Sequence, residues 1–189
     1  MKKIKFLLII CCSTSFAQIQ TPQSSPKASI NQTVGLTEVK VEYSRPAMRG
    51  RIIMGDLVPF GEIWRTGANE ATTFSTNKDL IIQGMLLPKG KYTLWTVPTA
   101  NSWKVMFNSG QYKWGVDEKM EPMWDPNYDV IELELPTQKL GDTVEKFTIA
   151  FDNTTGSLKL ALAWDTTKIG VPIQEASIGS NTKSIRQKQ

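Results

Sequence analysis

Residues 146–164 read Lys146-Phe147-Thr148-Ile149-Ala150-Phe151-Asp152-Asn153-Thr154-Thr155-Gly156-Ser157-Leu158-Lys159-Leu160-Ala161-Leu162-Ala163-Trp164. Phe147, Ile149 and Phe151 alternate with Lys146, Thr148 and Ala150, and Leu158, Leu160, Leu162 and Trp164 alternate with Ser157, Lys159, Ala161 and Ala163. A period of two marks a strand with one buried face, because an amphipathic helix would repeat every 3.6 residues. Asp152-Asn153-Thr154-Thr155-Gly156 between the runs is short and rich in turn formers, so the pair predicts a β-hairpin.

The alternation recurs on both sides of that hairpin. Val39, Val41 and Tyr43 alternate with Glu38, Lys40 and Glu42, and Ile131, Leu133 and Leu135 with Glu132 and Glu134. Further strands are predicted near Thr72 to Thr76, Leu80 to Gln83, Lys91 to Val97, Trp103 to Asn108 and Ile169 to Ile173. Eight or nine short strands with Gly, Pro and Asn between them predict an all-β fold, a single antiparallel β-sandwich, with a closed β-barrel as the alternative. In Leu87-Pro88-Lys89-Gly90-Lys91-Tyr92 the tyrosine follows a Pro-x-Gly turn, where its hydroxyl can bond back across the corner.

The first 17 residues read as a signal peptide. Met1-Lys2-Lys3-Ile4-Lys5 is a basic start, Phe6 to Cys12 a short apolar run, and Ser15-Phe16-Ala17 a small-residue cleavage site. The run is shorter than the roughly 20 residues a membrane helix needs. Ile10 and Cys11 stand where a lipidation motif wants a small residue, which disfavours lipid attachment at Cys11 or Cys12. The expectation is a protein exported to the periplasm or medium, with a lead-in over 18–28, one domain over 29–173 and a polar tail over 174–189.

Loss of the leader removes Lys2, Lys3, Lys5 and both cysteines, leaving 19 basic against 18 acidic residues and no His. Near-neutral balance removes the electrostatic case for nucleic acid or an anionic membrane. Without Cys or His, disulfides, thiol nucleophiles, Ser-His-Asp triads and the usual zinc, copper and haem ligands are excluded. No cofactor and no metal are expected.

Arginine placement is the least random feature. Of 5 arginines beyond residue 17, Arg45, Arg49, Arg51 and Arg65 fall within 21 residues, and no Lys occurs between Lys40 and Lys78. A guanidinium is a planar fork of donors suited to carboxylate or phosphate. From Ser44 to Ala71 the chain carries two prolines and four glycines without periodic patterning, and long unpatterned connections in compact domains are often functional. Trp64-Arg65-Thr66-Gly67-Ala68-Asn69-Glu70 within it gathers an aromatic, a cation, an amide and a carboxylate. The expected ligand site is Arg45, Arg49, Arg51 and Arg65 as anchors, Asn69 and Glu70 as orienting groups and Trp64 as a stacking face. The alternative is that these arginines pair with Asp56, Glu62 and Glu70 and only pin a coreless loop.

Tyr112, Trp114, Trp124 and Tyr128 make a second candidate surface, either a platform for sugar rings or a cap on the core. Asp125, Asn127 and Asp129 have the alternate spacing of a calcium loop, but Val130 and Pro136 stand where an EF-hand needs Gly and Glu.

Tyr43-Ser44-Arg45-Pro46, Arg49-Gly50-Arg51, Leu57-Val58-Pro59-Phe60-Gly61, Trp64-Arg65-Thr66-Gly67-Ala68-Asn69-Glu70-Ala71-Thr72 and Leu87-Pro88 with Gly90 and Tyr92 resemble the bacterial domain of unknown function 2911 family. The motifs run from about Ala28 to Asp129 and the layout to Pro172. The resemblance implies an exported bacterial protein with a β-rich domain and carries no activity with it. Three functional readings follow: a non-enzymatic module binding a small anionic or oxygen-rich ligand such as a glycan or envelope component; a hydrolase or lyase using Glu62 or Glu70 as acid or base; and a scaffold or interaction protein whose arginine loop is structural.

Overall fold

A computed structural model describes residues 22–153 and 158–176. The predicted signal peptide and most of the predicted tail lie outside the described residues, as does the centre of the 152–156 turn. The described chain is almost entirely strand: β1 (Lys27–Val34), β2 (Thr37–Ser44), β3 (Thr73–Thr76), β4 (Leu80–Ile82), β5 (Met85–Leu87), β6 (Gly90–Pro98), β7 (Ser102–Asn108), β8 (Asp129–Pro136), β9 (Gln138–Asp152) and β10 (Lys159–Glu175). A single turn of 3₁₀ helix, Pro126–Tyr128, precedes β8.

The strands form two antiparallel sheets, six strands in the order β1-β2-β3-β6-β7-β8 and four in the order β5-β4-β10-β9. Neither closes on itself, so the fold is a sandwich and the barrel alternative falls. Inward residues of both sheets share one core: Val41, Leu94, Val105 and Leu133 from the first, Ile82, Ile149, Leu162 and Val171 from the second. Each large apolar side chain so buried contributes about 1.5–3 kcal/mol. Tyr43 locks the sheets together, its hydroxyl donating to Ile149 O and accepting from Ile149 N. The Tyr92 hydroxyl donates to Pro88 O at 2.6 Å, the corner bond its position after the turn predicts.

Element boundaries differ from the pattern in three places. β1 starts at Lys27, inside the expected lead-in, because its backbone pairs along the whole of β2 from Ser44 to Thr37. β5 is a three-residue strand with only Leu87 buried, too short to show a period. The two runs expected at Leu158 to Trp164 and Ile169 to Ile173 are one strand, β10, bent at Asp165, whose φ of +54° marks an irregularity in its pairing with β9.

β6 positions the site because both of its faces are covered. Tyr92 to Thr96 are all buried. Leu94 faces the core, while Trp95 lies on the opposite face by alternation and packs edge-on against Tyr112, ring centroids 5.4 Å apart. The cover on that outer face is the irregular chain between β7 and β8.

Candidate functional site

The chain from Arg45 to Arg51 runs along β9. Met48 donates its backbone N–H to Glu145 O at 2.8 Å, Phe147 donates to Pro46 O at 2.9 Å, and Ala47 pairs with Lys146. Arg45 reaches across the same seam, Nε to Phe147 O at 3.2 Å and Nη2 to Thr148 Oγ1 at 2.7 Å. Arg51 folds back on its own turn, giving Nε to Met48 O and Nη2 to Ala47 O. Arg49, at φ +52°, gives its backbone N–H to Glu145 Oε1 and Nη2 to Ser24 O at 3.0 Å. These three guanidinium groups therefore rest on neutral oxygens. The expected pairing with Asp56, Glu62 and Glu70 is not what pins the segment, since a guanidinium fork satisfies backbone carbonyls as readily as carboxylates.

Asn69 and Glu70 face the N-terminal chain. Asn69, at φ +59°, donates Nδ2 to Ser25 O at 3.2 Å, and Glu70 forms an ion pair with Lys27 at 2.5 Å. The bond from Lys27 holds the Glu70 carboxyl below its ordinary range. Arg49, Asn69 and Glu70 are thus engaged with the stretch from Ser24 to Lys27, on a different side of the loop from Arg65.

Trp64 and Arg65 diverge at the next step. Trp64 extends the sheet, exchanging backbone hydrogen bonds with Thr96 at 2.7 and 3.0 Å. Its ring enters the core face, stacked on Trp164 at 5.8 Å and edge-on to Phe147 at 4.9 Å and Trp103 at 5.9 Å. Its indole N–H donates to Gly67 O. The face expected to stack on a ligand is turned into the sandwich. Thr66 then takes a φ of +56°, rare for a β-branched residue and costing of order 1–3 kcal/mol. The buried bonds around it hold it there: its carbonyl accepts from Thr72 Oγ1 at 2.7 Å, and its hydroxyl meets Thr96 Oγ1 at 3.1 Å. Gly67, at φ +154°, completes the reversal, and a Cβ there would lie 3.1 Å from Ser44 O and from Thr72 Oγ1.

Arg65 is sent outward, against the chain that covers β6. Its stem lies on Gly115, where a Cβ would stand 2.7 Å from the Cβ of Arg65. Its Nε is buried without a hydrogen-bond partner. Among the described residues the side chain makes no hydrogen bond and no ion pair. Burial pushes the guanidinium below the ordinary arginine value, although arginine stays charged in proteins.

Beside it is a cleft of about 300 Å³. Leu57, Val58, Pro59 and Ile63 supply one wall, and Val116, Met120 and Pro122 the other. Glu62 and Glu121 lie on the same lining. Of the residues expected at the site, the structure brings Arg65, its neighbour Trp64 and the candidate acid Glu62 to this cleft; Arg45, Arg49, Arg51, Asn69 and Glu70 lie elsewhere. Leu57-Val58-Pro59 belongs to the quoted motifs, and Gly115, Val116, Met120 and Glu121 to the stretch from Tyr112 to Asp129 read as a second surface, though nothing in the sequence sets that stretch against Arg65.

The aromatic chain from Tyr112 to Tyr128 divides its work. Tyr112 bonds Asn108 Oδ1 and Asp125 N, and Trp124 donates its indole N–H to both oxygens of Asp129. Asp129 also accepts from Asn108 Nδ2 at 2.7 Å, and Asp125 Oδ1 caps the 3₁₀ turn through Asn127 N and Nδ2. The carboxylates of the suspected calcium loop thus take N–H donors that bind the loop together. Trp114 and Tyr128 are exposed.

The model of a family described as "Protein of unknown function (DUF2911)" matches residues 25–173, most of the chain, and the protein belongs to that family. No curated protein and no solved structure matches it.

Proposed function

We propose that this protein is an exported, non-enzymatic β-sandwich that holds a small anionic or oxygen-rich ligand in the cleft beside Arg65. The observation that carries this reading is the Arg65 guanidinium, which has no protein acceptor among the described residues: its Nε is buried and its Nη groups remain accessible. A ligand oxygen can reach those Nη groups, and the planar fork suits carboxylate, phosphate or vicinal hydroxyl oxygens. The cleft is lined by apolar side chains with Glu62, Arg65 and Glu121 among them, and the surface it presents is more polar than apolar, which suits an oxygen-rich ligand. Export rests on the leader read in residues 1–17.

Glu70 counts against the hydrolase alternative. Its bond with Lys27 favours the ionised form, which removes it as a proton donor, and as a base it is engaged by that lysine and does not line the cleft. A thermal-shift screen of the purified protein against acetate, phosphate and neutral monosaccharides, with Arg65→Met in parallel, tests the proposal. A ligand that raises the melting temperature of the wild type and not of the variant supports it, by linkage. A ligand that stabilises both equally puts the site elsewhere, and no response to any compound favours the scaffold reading.

A further inference from the structure

The cleft beside Arg65 holds charges of both signs that leave one another unpaired. Glu62 and Glu121 line it together with Arg65, yet neither carboxylate lies within the 4.0 Å of the guanidinium that would make an ion pair. Among the described residues neither carboxylate has a hydrogen-bond or ion-pair partner. Elsewhere on the surface, lysine and carboxylate neighbours do meet: Lys27 with Glu70, Lys40 with Glu42, Lys104 with Glu132. Opposite charges kept apart across a cavity define a dipole, with its positive end on a half-buried guanidinium and its negative end on two solvated carboxylates.

From this juxtaposition we infer that the ligand of the Arg65 cleft is dipolar, a free amino acid or short peptide carrying both a carboxylate and an ammonium group. The inference rests on the proposed reading of the cleft and narrows its ligand class. The carboxylate of the ligand takes the accessible Nη groups of Arg65, which have no protein acceptor among the described residues. Its ammonium faces Glu62 and Glu121, which would repel a bare anion entering the same space. Val58, Ile63, Val116 and Pro122 offer an apolar surface for a side chain. A volume of about 300 Å³ is at the small end for ligand pockets, the size for a compact molecule and not for an oligosaccharide.

Isothermal titration of the purified protein with leucine, leucyl-leucine, 4-methylpentanoate (leucine without its amine) and 3-methylbutylamine (leucine without its carboxylate) tests the inference. The expected order places leucine or leucyl-leucine above 4-methylpentanoate by about five- to tenfold, a modest factor because both carboxylates are solvated. The Glu62→Gln/Glu121→Gln double variant should erase that preference and bind 4-methylpentanoate at least as tightly as the wild type does. Arg65→Met should abolish binding of the acids. Equal affinity for 4-methylpentanoate and the zwitterions overturns the inference while the anion site stands. Binding of phosphate or a monosaccharide at Arg65 with none of the leucine series has the same meaning. Failure of every acid, phosphate and sugar removes the site itself and the inference with it.

Discussion

At positions 45–51 the guanidinium groups of Arg45, Arg49 and Arg51 all end on oxygens of the protein, whereas at position 65 the same group meets no protein acceptor among the described residues. The two regions lie on one irregular segment and look alike in sequence. They differ in what lies opposite them. The first runs beside β9, whose carbonyls at Glu145 and Phe147 are open to cross-bonding; the second follows Trp64, which is bridged to Thr96, and so by alternation points away from the core, against Gly115 and an apolar wall. An arginine cluster is therefore not one functional unit. Its members become staples or are left without a protein acceptor according to what the fold sets beside them.

The largest effect belongs to the residue at the divide. Trp64→Ala should cost about 3–5 kcal/mol in denaturant unfolding, because it empties the aromatic cluster of Trp103, Phe147 and Trp164. A loss below about 1 kcal/mol would put the Trp64 ring outside the core. Next comes Arg45→Met, which keeps the apolar stem and removes both bonds to β9; a loss of about 1.5–3 kcal/mol is expected, by the same measurement.

The pair between Glu70 and Lys27 gives a smaller, pH-dependent term. The bond from Lys27 holds the carboxyl of Glu70 below its ordinary value of 4.5 when folded, so its contribution is present above that pH and fades as the pH falls through the lowered value. Glu70→Gln should cost no more than about 1 kcal/mol at pH 7, since both partners are partly solvated. Stability curves of variant and wild type should converge toward pH 3, and parallel curves would contradict the assignment.

Smallest of all is Arg65→Met, within about 0.5 kcal/mol of the wild type or more stable, because no protein acceptor is lost and an unsatisfied donor disappears. Should Arg65→Met prove as damaging as Arg45→Met, the contrast between the two regions collapses and the loop is structural throughout.

Legibility in the sequence followed burial. β9 and β10 announce themselves because Phe147, Ile149, Leu160 and Leu162 face a continuous core from strands long enough to show a period. β1 does not, because Ser29, Asn31 and Thr33 are exposed and Gln32 stands on its inner side, so an edge strand held by backbone pairing to β2 reads as polar chain. Within the candidate site, Trp64-Arg65-Thr66-Gly67 is conspicuous as a string, yet which side chain turns in and which out depends on the bridge between Trp64 and Thr96. The opposite wall, Gly115 to Glu121, falls in the stretch read as a separate aromatic surface; that it faces Arg65 follows only from the packing of the β7–β8 connection on the outer face of β6.

Sequence alone determined the all-β strand pattern, the corner at Tyr92, the absence of histidine and of any cysteine after Cys12, and the singular character of the 44–71 segment. Periodicity and composition are local properties, and they survive without knowledge of distant neighbours. Tertiary structure decided which arginines are spent and which is left. Arg45 meets Phe147 and Thr148 about a hundred positions away, and Arg65 meets Gly115, so their roles are set by contacts that no spacing along the chain encodes.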